Sequence, residues 1–181
     1  MHTKTNKLVK FVEKRDLINK NQLKNINSLP AINKIILHFG CKTSNLLKIS
    51  KHALALELIT GSQCRFHKAS KNNSNIKLKK NTITGVSVVL KNSKLNEFLS
   101  VFSNKIFPKL QTNAGFSKDK FLKFSANFTF SLQKQTLFLF DELEFNRMLF
   151  NDLEKLIIVV VFTKKLSKPI QKFLLNNFLQ K

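Results

Sequence analysis

The sequence is short of acidic side chains, glycine, proline and cysteine, and it contains no tryptophan or tyrosine. Its four glycines are too few for the tight turns of glycine-rich phosphate loops, which almost excludes nucleotide-binding enzymes of that type. Its two cysteines cannot form a disulfide framework, which is typical of a reducing compartment or an organelle matrix. Its ten Asp and Glu oppose 32 Lys and Arg, so the 181-residue chain has a formal net charge of +22.

Long apolar runs are also missing. The longest, Leu156 to Phe162, has the length of a strand, whereas a membrane-spanning helix needs about 20 residues. The N-terminal residues lack the apolar segment of a signal peptide, and with their lysines, Glu13 and Asp16 they differ from an Arg- and Ser-rich transit peptide. The abundance of Lys, Asn and Phe is typical of a strongly AT-rich gene, such as an organellar one. We therefore expect an organelle-encoded protein with no membrane partner.

The positive charge accompanies a substantial apolar content of 43%, which is sufficient for a folded core. A charge of this size repels itself in the compact state, so it predicts a polyanionic partner. The cations are 29 Lys and three Arg. Because Lys is a mobile point charge without the planar fork of Arg, this ratio favours contact with a phosphate backbone over the recognition of base edges.

Alternating apolar residues indicate strands at 34–39, from 63 onwards, at 82–91 and at 126–133, and the run at 156–162 is typical of a central strand covered on both faces. Thr43-Ser44-Asn45 can cap a helix that runs to about Thr60 and is closed by Gly61. Helical spacing predicts further helices from 92 to an end at Phe107-Pro108 and at 166–178. The prediction is an α+β fold, with a mainly antiparallel sheet of about five strands and helices packed on one face. We expect one domain over residues 28–181, preceded by a basic helical extension at 1–27.

The charge is concentrated in a stretch without carboxylates between Glu57 and Glu97. Residues 70–81 within it form a polar, basic excursion that we expect to contact folded RNA. Phe66 could stack on a base there, although a core phenylalanine of the second strand is the preferred interpretation. The acidic side chains of residues 141–154 are interpreted as a solvated turn and a short helix, and no nucleophile motif accompanies them, so we expect no catalytic residues and no enzyme.

Two pairs of residues have the ligand types and spacing of a Cys₂His₂ zinc site, namely His38 with Cys41 and Cys64 with His67. The 22 residues between the cysteines exceed the usual spacing of a zinc finger, and a domain of this size needs no metal to fold. The preferred interpretation is small buried cysteines and surface histidines that contact phosphate. We therefore expect no metal and no cofactor.

Three collinear motifs add a resemblance. They are LPAINKIILHFG at 29–40, ITGSQ at 59–63 followed by KA at 68–69, and IKLK at 76–79 followed by TGVSVVL at 84–90. Further single residues continue in the same order as far as the C-terminal strand and helix. Over about residues 28–181 this order resembles the large-subunit ribosomal protein five family of bacterial and organellar type.

The resemblance implies a structural constituent of a mitochondrial large ribosomal subunit in the organelle matrix. Its partners would be large-subunit rRNA, 5S rRNA if present, P-site tRNA, neighbouring proteins of the central protuberance, and a small-subunit head protein across an intersubunit bridge. The tRNA-facing loop would use Lys71, Asn73, Asn75, Lys77 and Lys79. The expected RNA-binding residues are Lys34, His38, Gln63, Arg65, His67, Lys68, Lys71, Asn72, Lys77, Lys79, Lys80 and Lys91.

The sequence departs from the family pattern at positions that carry 5S rRNA recognition. His38 replaces an Asn, Val89 replaces a Thr, and Gln63 is displaced by one place behind Ser62. These changes imply that the 5S contact is altered or that the ribosome has a divergent 5S rRNA or none. Two alternatives stay open: an RNA-binding ribosome assembly factor, and a zinc-dependent nucleic-acid enzyme built on the four His and Cys residues.

Overall fold

The computed structural model describes residues 15, 18–19, 31–41, 45–74, 78–114 and 127–163. Its strands are β1 (Ile32–Gly40), β2 (Arg65–Lys68), β3 (Ile83–Leu90), β4 (Phe128–Leu132) and β5 (Leu156–Phe162). Its helices are α1 (Leu46–Thr60), α2 (Asn92–Val101), α3 (Phe107–Ala114), α4 (Lys134–Leu137) and α5 (Asp141–Glu144), and a π-helical turn at Phe102–Ile106 joins α2 to α3. No helix in these parts of the chain is long and apolar enough to cross a membrane.

The five strands form one antiparallel sheet in the order β2-β3-β1-β5-β4. β1 lies at its centre because its apolar residues Ile35, Leu37 and Phe39 pair with apolar residues of both β3 and β5. These three side chains are fully buried, and the alternate residues of β1 are half-buried. The predicted α+β fold with a mainly antiparallel sheet of five strands is thus confirmed.

One face of the sheet carries the core. Val86, Val88 and Leu90 of β3 join the buried residues of β1, and Ile49, Ala53 and Leu56 of α1 with Leu95 and Phe98 of α2 belong to the same cluster. Each large apolar side chain buried here contributes about 1.5–3 kcal/mol relative to an exposed one. The described helices therefore pack on one face, as predicted.

The apolar run of β5 is an inner strand, as predicted, but it is not covered equally on both faces. Leu156, Ile158 and Val160 face the core, whereas Ile157 and Val159 are only half-buried. The reason is that the helices of the described chain cover only the face that bears the first set. β5 thus looks apolar on both sides in sequence, although the fold buries one side deeply.

The predicted capping of α1 is confirmed. The Asn45 side chain accepts a hydrogen bond from the Leu47 N–H at 3.0 Å, which satisfies one free donor of the first turn. Gly61 ends the helix in the left-handed region at φ 57°, and its N–H donates to the Glu57 carbonyl at 2.8 Å. Glycine adopts this conformation without the penalty that a Cβ brings.

The predicted end of the second long helix at Phe107-Pro108 is wrong. Phe107 keeps helical angles (φ −63°, ψ −43°), and the chain continues to Ala114. The π turn ends with the Phe107 N–H donating to the Phe102 carbonyl, so Pro108 lies in the first turn of α3, where its missing N–H costs little. Phe102, Phe107 and Leu110 are buried on either side of the proline, and this packing outweighs the extended preference of a residue before proline.

A buried histidine ties α1 to the chain that precedes β5. The His52 side chain is 1% exposed, and its Nε2 accepts a hydrogen bond from the Glu154 N–H at 3.0 Å. Its Nδ1 donates to the Lys48 carbonyl, and its ring edge packs on Phe39 with the ring centroids 5.0 Å apart. Sequence reasoning missed this residue, because nothing in the local pattern indicates a contact across 102 positions.

Two predicted helical segments lie wholly or mostly outside the described residues. The helix expected at 166–178 lies beyond the described residues. Of the N-terminal extension at 1–27, the structure describes Arg15, Ile18 and Asn19, and these three are helical.

Candidate nucleic-acid interface

The sheet face opposite α1 and α2 is polar at one end and moderately apolar at the other. We call it the open face, and alternation along each strand defines its members. They are Lys34, Ile36 and His38 of β1, Arg65 and His67 of β2, Gly85, Ser87 and Val89 of β3, Thr129 and Ser131 of β4, and Ile157, Val159 and Val161 of β5. None of these residues is an Asp or Glu. The open face therefore carries positive charge with no carboxylate among its members.

Two histidines from different strands meet on the open face. The His38 and His67 ring centroids are 5.7 Å apart, with the planes inclined at 68°. His67 Nε2 lies 2.6 Å from the hydroxyl oxygen of Ser87, which is 4% exposed. Burial and the neighbouring His67 lower the pKa of His38, and a hydrogen bond to the Val86 backbone opposes this shift.

Gly85 makes this meeting possible. A Cβ at this position would lie 2.7 Å from His38 Cε1 and 2.8 Å from the carbonyl oxygen of Phe39. The His38 ring therefore occupies the space that a side chain at Gly85 would fill. A larger residue there would displace the ring or open the β1–β3 pairing.

Beyond the edge strand β2, residues 69–74 pair with residues 78–82, and we call the segment 69–82 the basic loop. At its base the Ala69 N–H donates to the Thr82 carbonyl, and further out Asn73 and Leu78 exchange two backbone hydrogen bonds of 2.8 and 2.9 Å. The Asn72 side-chain oxygen also accepts the Lys80 N–H at 2.6 Å. The polar excursion predicted from the sequence is thus tied down by its own hydrogen bonds.

The structure brings most of the predicted RNA-binding residues to these two neighbouring regions. Lys34, His38, Arg65 and His67 lie on the open face, and the exposed Lys91 directly follows β3. Lys68 is exposed at the end of β2. The basic loop exposes Lys71, Asn72, Asn73, Lys79 and Lys80, whereas Asn75 and Lys77 lie outside the described residues.

The basic loop has no acidic counterpart in the described chain. The salt bridges among the described residues join Lys51 to Asp152 at 3.8 Å and Asp141 to Lys105 and Lys109 at 3.3 and 3.7 Å. None of them involves a lysine of the loop. Its charge is therefore available to an external anion.

Gln63 and Phe66 lie elsewhere. Both line a groove between α1 and the edge of the sheet, together with Leu47, Leu54 and Leu149. Phe66 is 50% exposed, so its preferred interpretation as a core residue is wrong: β2 is an edge strand, and α1 covers only part of this ring. Phe66 pairs with Val86, which faces the core side, so it does not share a face with the histidine pair.

The four candidate zinc ligands separate into different environments. His38 and His67 adjoin on the open face, but Cys64 lines the groove on the helix side, where its N–H donates to a Glu57 carboxylate oxygen at 3.0 Å. Burial raises the pKa of the Cys41 thiol, with Glu154 adding to the shift. Among the described residues no three His, Cys, Asp or Glu side chains are grouped as metal ligands would be.

Acidic and exposed apolar residues gather in and beside α5. Asp141, Glu142 and Glu144 lie in its first turn. Phe145 and Met148, which follow, are 88% and 92% exposed. This part of the surface differs in charge and in polarity from the open face and the loop.

Comparison with known proteins gives a consistent result. The family model for the C-terminus of the ribosomal protein L5 family matches residues 83–180. The large ribosomal subunit protein uL5m of Reclinomonas americana is 33% identical over 168 residues, which cover 90% of this chain and 91% of that protein. The protein uL5c of Euglena gracilis is 30% identical and covers 67% of each chain, and uL5 of Pseudothermotoga lettingae is 32% identical and covers 64% of this chain and 63% of its own.

Proposed function

The chain belongs to the ribosomal protein L5 family, and we propose that it is a structural constituent of a mitochondrial large ribosomal subunit that binds rRNA in the central protuberance. The observation that carries the proposal is the charge distribution: the open face and the basic loop present cationic and neutral side chains without a carboxylate. As a ribosomal family member the chain is a structural protein rather than an enzyme. The similarity to uL5m supports the mitochondrial assignment.

Binding would depend on lysine charge and on the shape of the partner. Each lysine that neutralises a phosphate releases condensed counterions, and this term supplies most of the sequence-independent affinity. The hydrogen bonds at the base of the basic loop hold its backbone in place before RNA arrives, which reduces the ordering cost of binding. Half-buried Ile36 and Val159 give the open face apolar area for contact with ribose and base edges.

A contact to 5S rRNA, if this ribosome has one, would use different chemistry from the family pattern. The open face has His38 and Val89 at two positions where the family has Asn and Thr. Val89 has no hydrogen-bonding group, and Gln63 lies in the groove rather than on this face. We therefore expect a contact in which phosphate and shape matter more than base edges.

The basic loop is the proposed contact to P-site tRNA. It extends from the edge of the sheet. Its described lysines, Lys71, Lys79 and Lys80, are exposed, and the salt bridges of the described residues involve none of them. Lys71, Asn73 and Lys79 would supply charge and hydrogen bonds to phosphate and 2′-hydroxyl groups without reading sequence.

The acidic surface beside α5 is the proposed contact to proteins, both in the central protuberance and in the small-subunit head. RNA is repelled by the carboxylates of Glu142 and Glu144, whereas a basic ribosomal protein is attracted by them. The third carboxylate, Asp141, already pairs with Lys105 and Lys109. The exposed Phe145 and Met148, which follow these carboxylates in the chain, offer apolar anchors.

Sedimentation tests the ribosomal assignment. In sucrose gradients of organelle lysate the protein should migrate with large subunits in about equimolar amount to other subunit proteins. An assembly factor would appear substoichiometrically and only on precursor particles. Migration away from large subunits would contradict the proposal.

Salt dependence tests the binding surface with a charge-matched control. Replacing Lys71, Lys79 and Lys80 by Gln should reduce the slope of log K against log salt for an RNA duplex by roughly 0.7–0.9 for each phosphate that is no longer neutralised. Replacing Lys51, Lys105 and Lys109 by Gln changes the net charge equally on residues that already pair with acids, and it should leave the slope nearly unchanged. Equal effects of both triple substitutions would show that only net charge matters, and the proposed surface would be wrong.

A further inference from the structure

The pairing of the strands brings together two histidines, His38 and His67, that are far apart in the sequence. His38 comes from the centre of the sheet and His67 from its edge, and β3 lies between their strands. Their rings approach to 5.7 Å because the His38 ring occupies the space that a side chain at Gly85, which pairs with His67, would fill. The Ser87 hydroxyl lies beside them on the same strand as Gly85.

The charged residues among the described members of the open face are all positive. β1 contributes Lys34, and β2 contributes Arg65. The open-face members of β3, β4 and β5 are Gly, Ser, Thr, Val and Ile residues, which are uncharged. In the free protein, burial and the neighbouring His67 both oppose protonation of the His38 ring.

An anion bound in contact with the exposed parts of both rings acts in the opposite direction, because it favours their protonated forms. A phosphate oxygen accepts hydrogen bonds, and a protonated imidazole has two N–H donors. Each protonated ring can then make a charge-assisted hydrogen bond to the phosphate, while the buried Ser87 hydroxyl accepts the His67 Nε2–H and holds that ring in place. The same anion shields the two positive rings from each other.

We propose that His38, His67 and Ser87 form a binding site for one RNA phosphate group that takes up protons, up to one for each ring, as it is filled. The inference rests on the proposed RNA-binding function and specifies the chemistry of one site on its surface. Since the bound state holds more protons than the free state, lowering the pH strengthens binding and raising it weakens binding.

The test uses the full-length chain and a short fluorescent RNA duplex at constant ionic strength, with affinity measured by anisotropy between about pH 5.5 and pH 8.5. Wild-type affinity should rise as the pH falls, by up to about tenfold per pH unit for each proton taken up. His38→Asn and His67→Asn should each remove part of this slope, and the double variant should remove the part due to the pair. The remaining histidines are present in every variant, so their contribution cancels.

Lys34→Gln is the matched control on the same face. It should lower the affinity at every pH and leave the slope unchanged, since lysine does not titrate in this range. Circular dichroism at each pH confirms that the variants are folded. As a measurement on the unaltered protein, duplex added at neutral pH should move the Cε1–H resonances of both rings toward the positions of protonated imidazole.

The outcomes separate the two proposals. A double variant that binds RNA with the full wild-type slope overturns the histidine site and leaves the RNA-binding surface standing, and so do unmoved ring resonances in a duplex-saturated sample. A wild-type chain that fails to bind duplex at any pH overturns the proposed function, and the histidine site with it.

Discussion

Truncation of His52 should destabilise the fold more than any exposed substitution on α1. His52→Ala leaves the Glu154 N–H without its acceptor in a buried site, which costs about 1–3 kcal/mol. The substitution also removes the edge-to-face packing on Phe39, which contributes about 0.5–1.5 kcal/mol. Together these terms predict a loss of about 2–4 kcal/mol in the free energy of unfolding, a large share of the roughly 5–15 kcal/mol typical of a domain.

Two further substitutions distinguish the contributions of the two ring nitrogens of His52 to stability. The Gln side-chain oxygen can reach the place of Nε2 and accept from the Glu154 N–H, whereas the shorter Asn can replace only Nδ1, which contacts the Lys48 carbonyl. We therefore expect His52→Gln to be less destabilising than His52→Asn. Lys48→Ala is the control, because it keeps the backbone carbonyl that the ring contacts.

Urea unfolding monitored by circular dichroism gives the free energies, and a thermal scan should show His52→Ala melting roughly 5–15 °C below the wild type. The reasoning is refuted if His52→Ala unfolds within about 0.5 kcal/mol of the wild type, which is the scatter of ordinary surface changes. It is also refuted if Asn is tolerated better than Gln, because the bond to Glu154 would then not be the one that matters.

Two other predictions concern Gly85 and Cys64. Gly85→Ala should destabilise the fold by about 1–3 kcal/mol in urea unfolding, because the new Cβ meets the Phe39 carbonyl oxygen at 2.8 Å. If adding His38→Ala restored the full stability, the clash would be with the His38 ring alone, and the assigned role of the Phe39 carbonyl would be wrong. Burial is the largest cause that raises the pKa of Cys64 to about 11, and the hydrogen bond to Glu57 and the negative charge of Glu57 add to it. Iodoacetamide at pH 8 should therefore alkylate Cys64 far more slowly in the folded protein than in the unfolded chain. The folded pKa lies above the unfolded value near 9.0, so the thiol's contribution to stability is complete below about pH 9 and is lost as the pH rises toward 11. Glu57→Gln should speed alkylation of Cys64 in the folded protein, and an unchanged rate would contradict the contribution of Glu57 to the raised pKa.

Local patterns in the sequence predicted the elements of the fold. Alternation placed Ile35, Leu37 and Phe39 on one face of a strand, and the structure buries all three. Asn45 and Gly61 marked the two ends of α1, because capping depends on residues within a few positions of the helix end. The prediction failed at Pro108, where buried phenylalanines on the preceding turns keep the chain helical through a π turn.

The candidate interface was likewise predicted in part from the sequence. The net charge predicted a polyanionic partner, and the positions of the charged residues localised the positive charge to the span without acids between Glu57 and Glu97. Neither inference needs the three-dimensional structure. The described loop lysines Lys71, Lys79 and Lys80 are exposed, but the sequence contained no sign that the base of the loop is closed by its own hydrogen bonds.

What the sequence determined by itself is the alternation of its strands, the ends of its first helix and the sign of its charge, all of which depend on neighbouring residues or on totals. Tertiary structure alone decided which strands are neighbours. Antiparallel pairing across β3 brought His38 beside His67, and the pairing of Phe66 with Val86 turned that ring into the groove and away from the open face. Contacts of this kind join residues far apart in the chain, and strand register sets them, so no local pattern of residue types contains them.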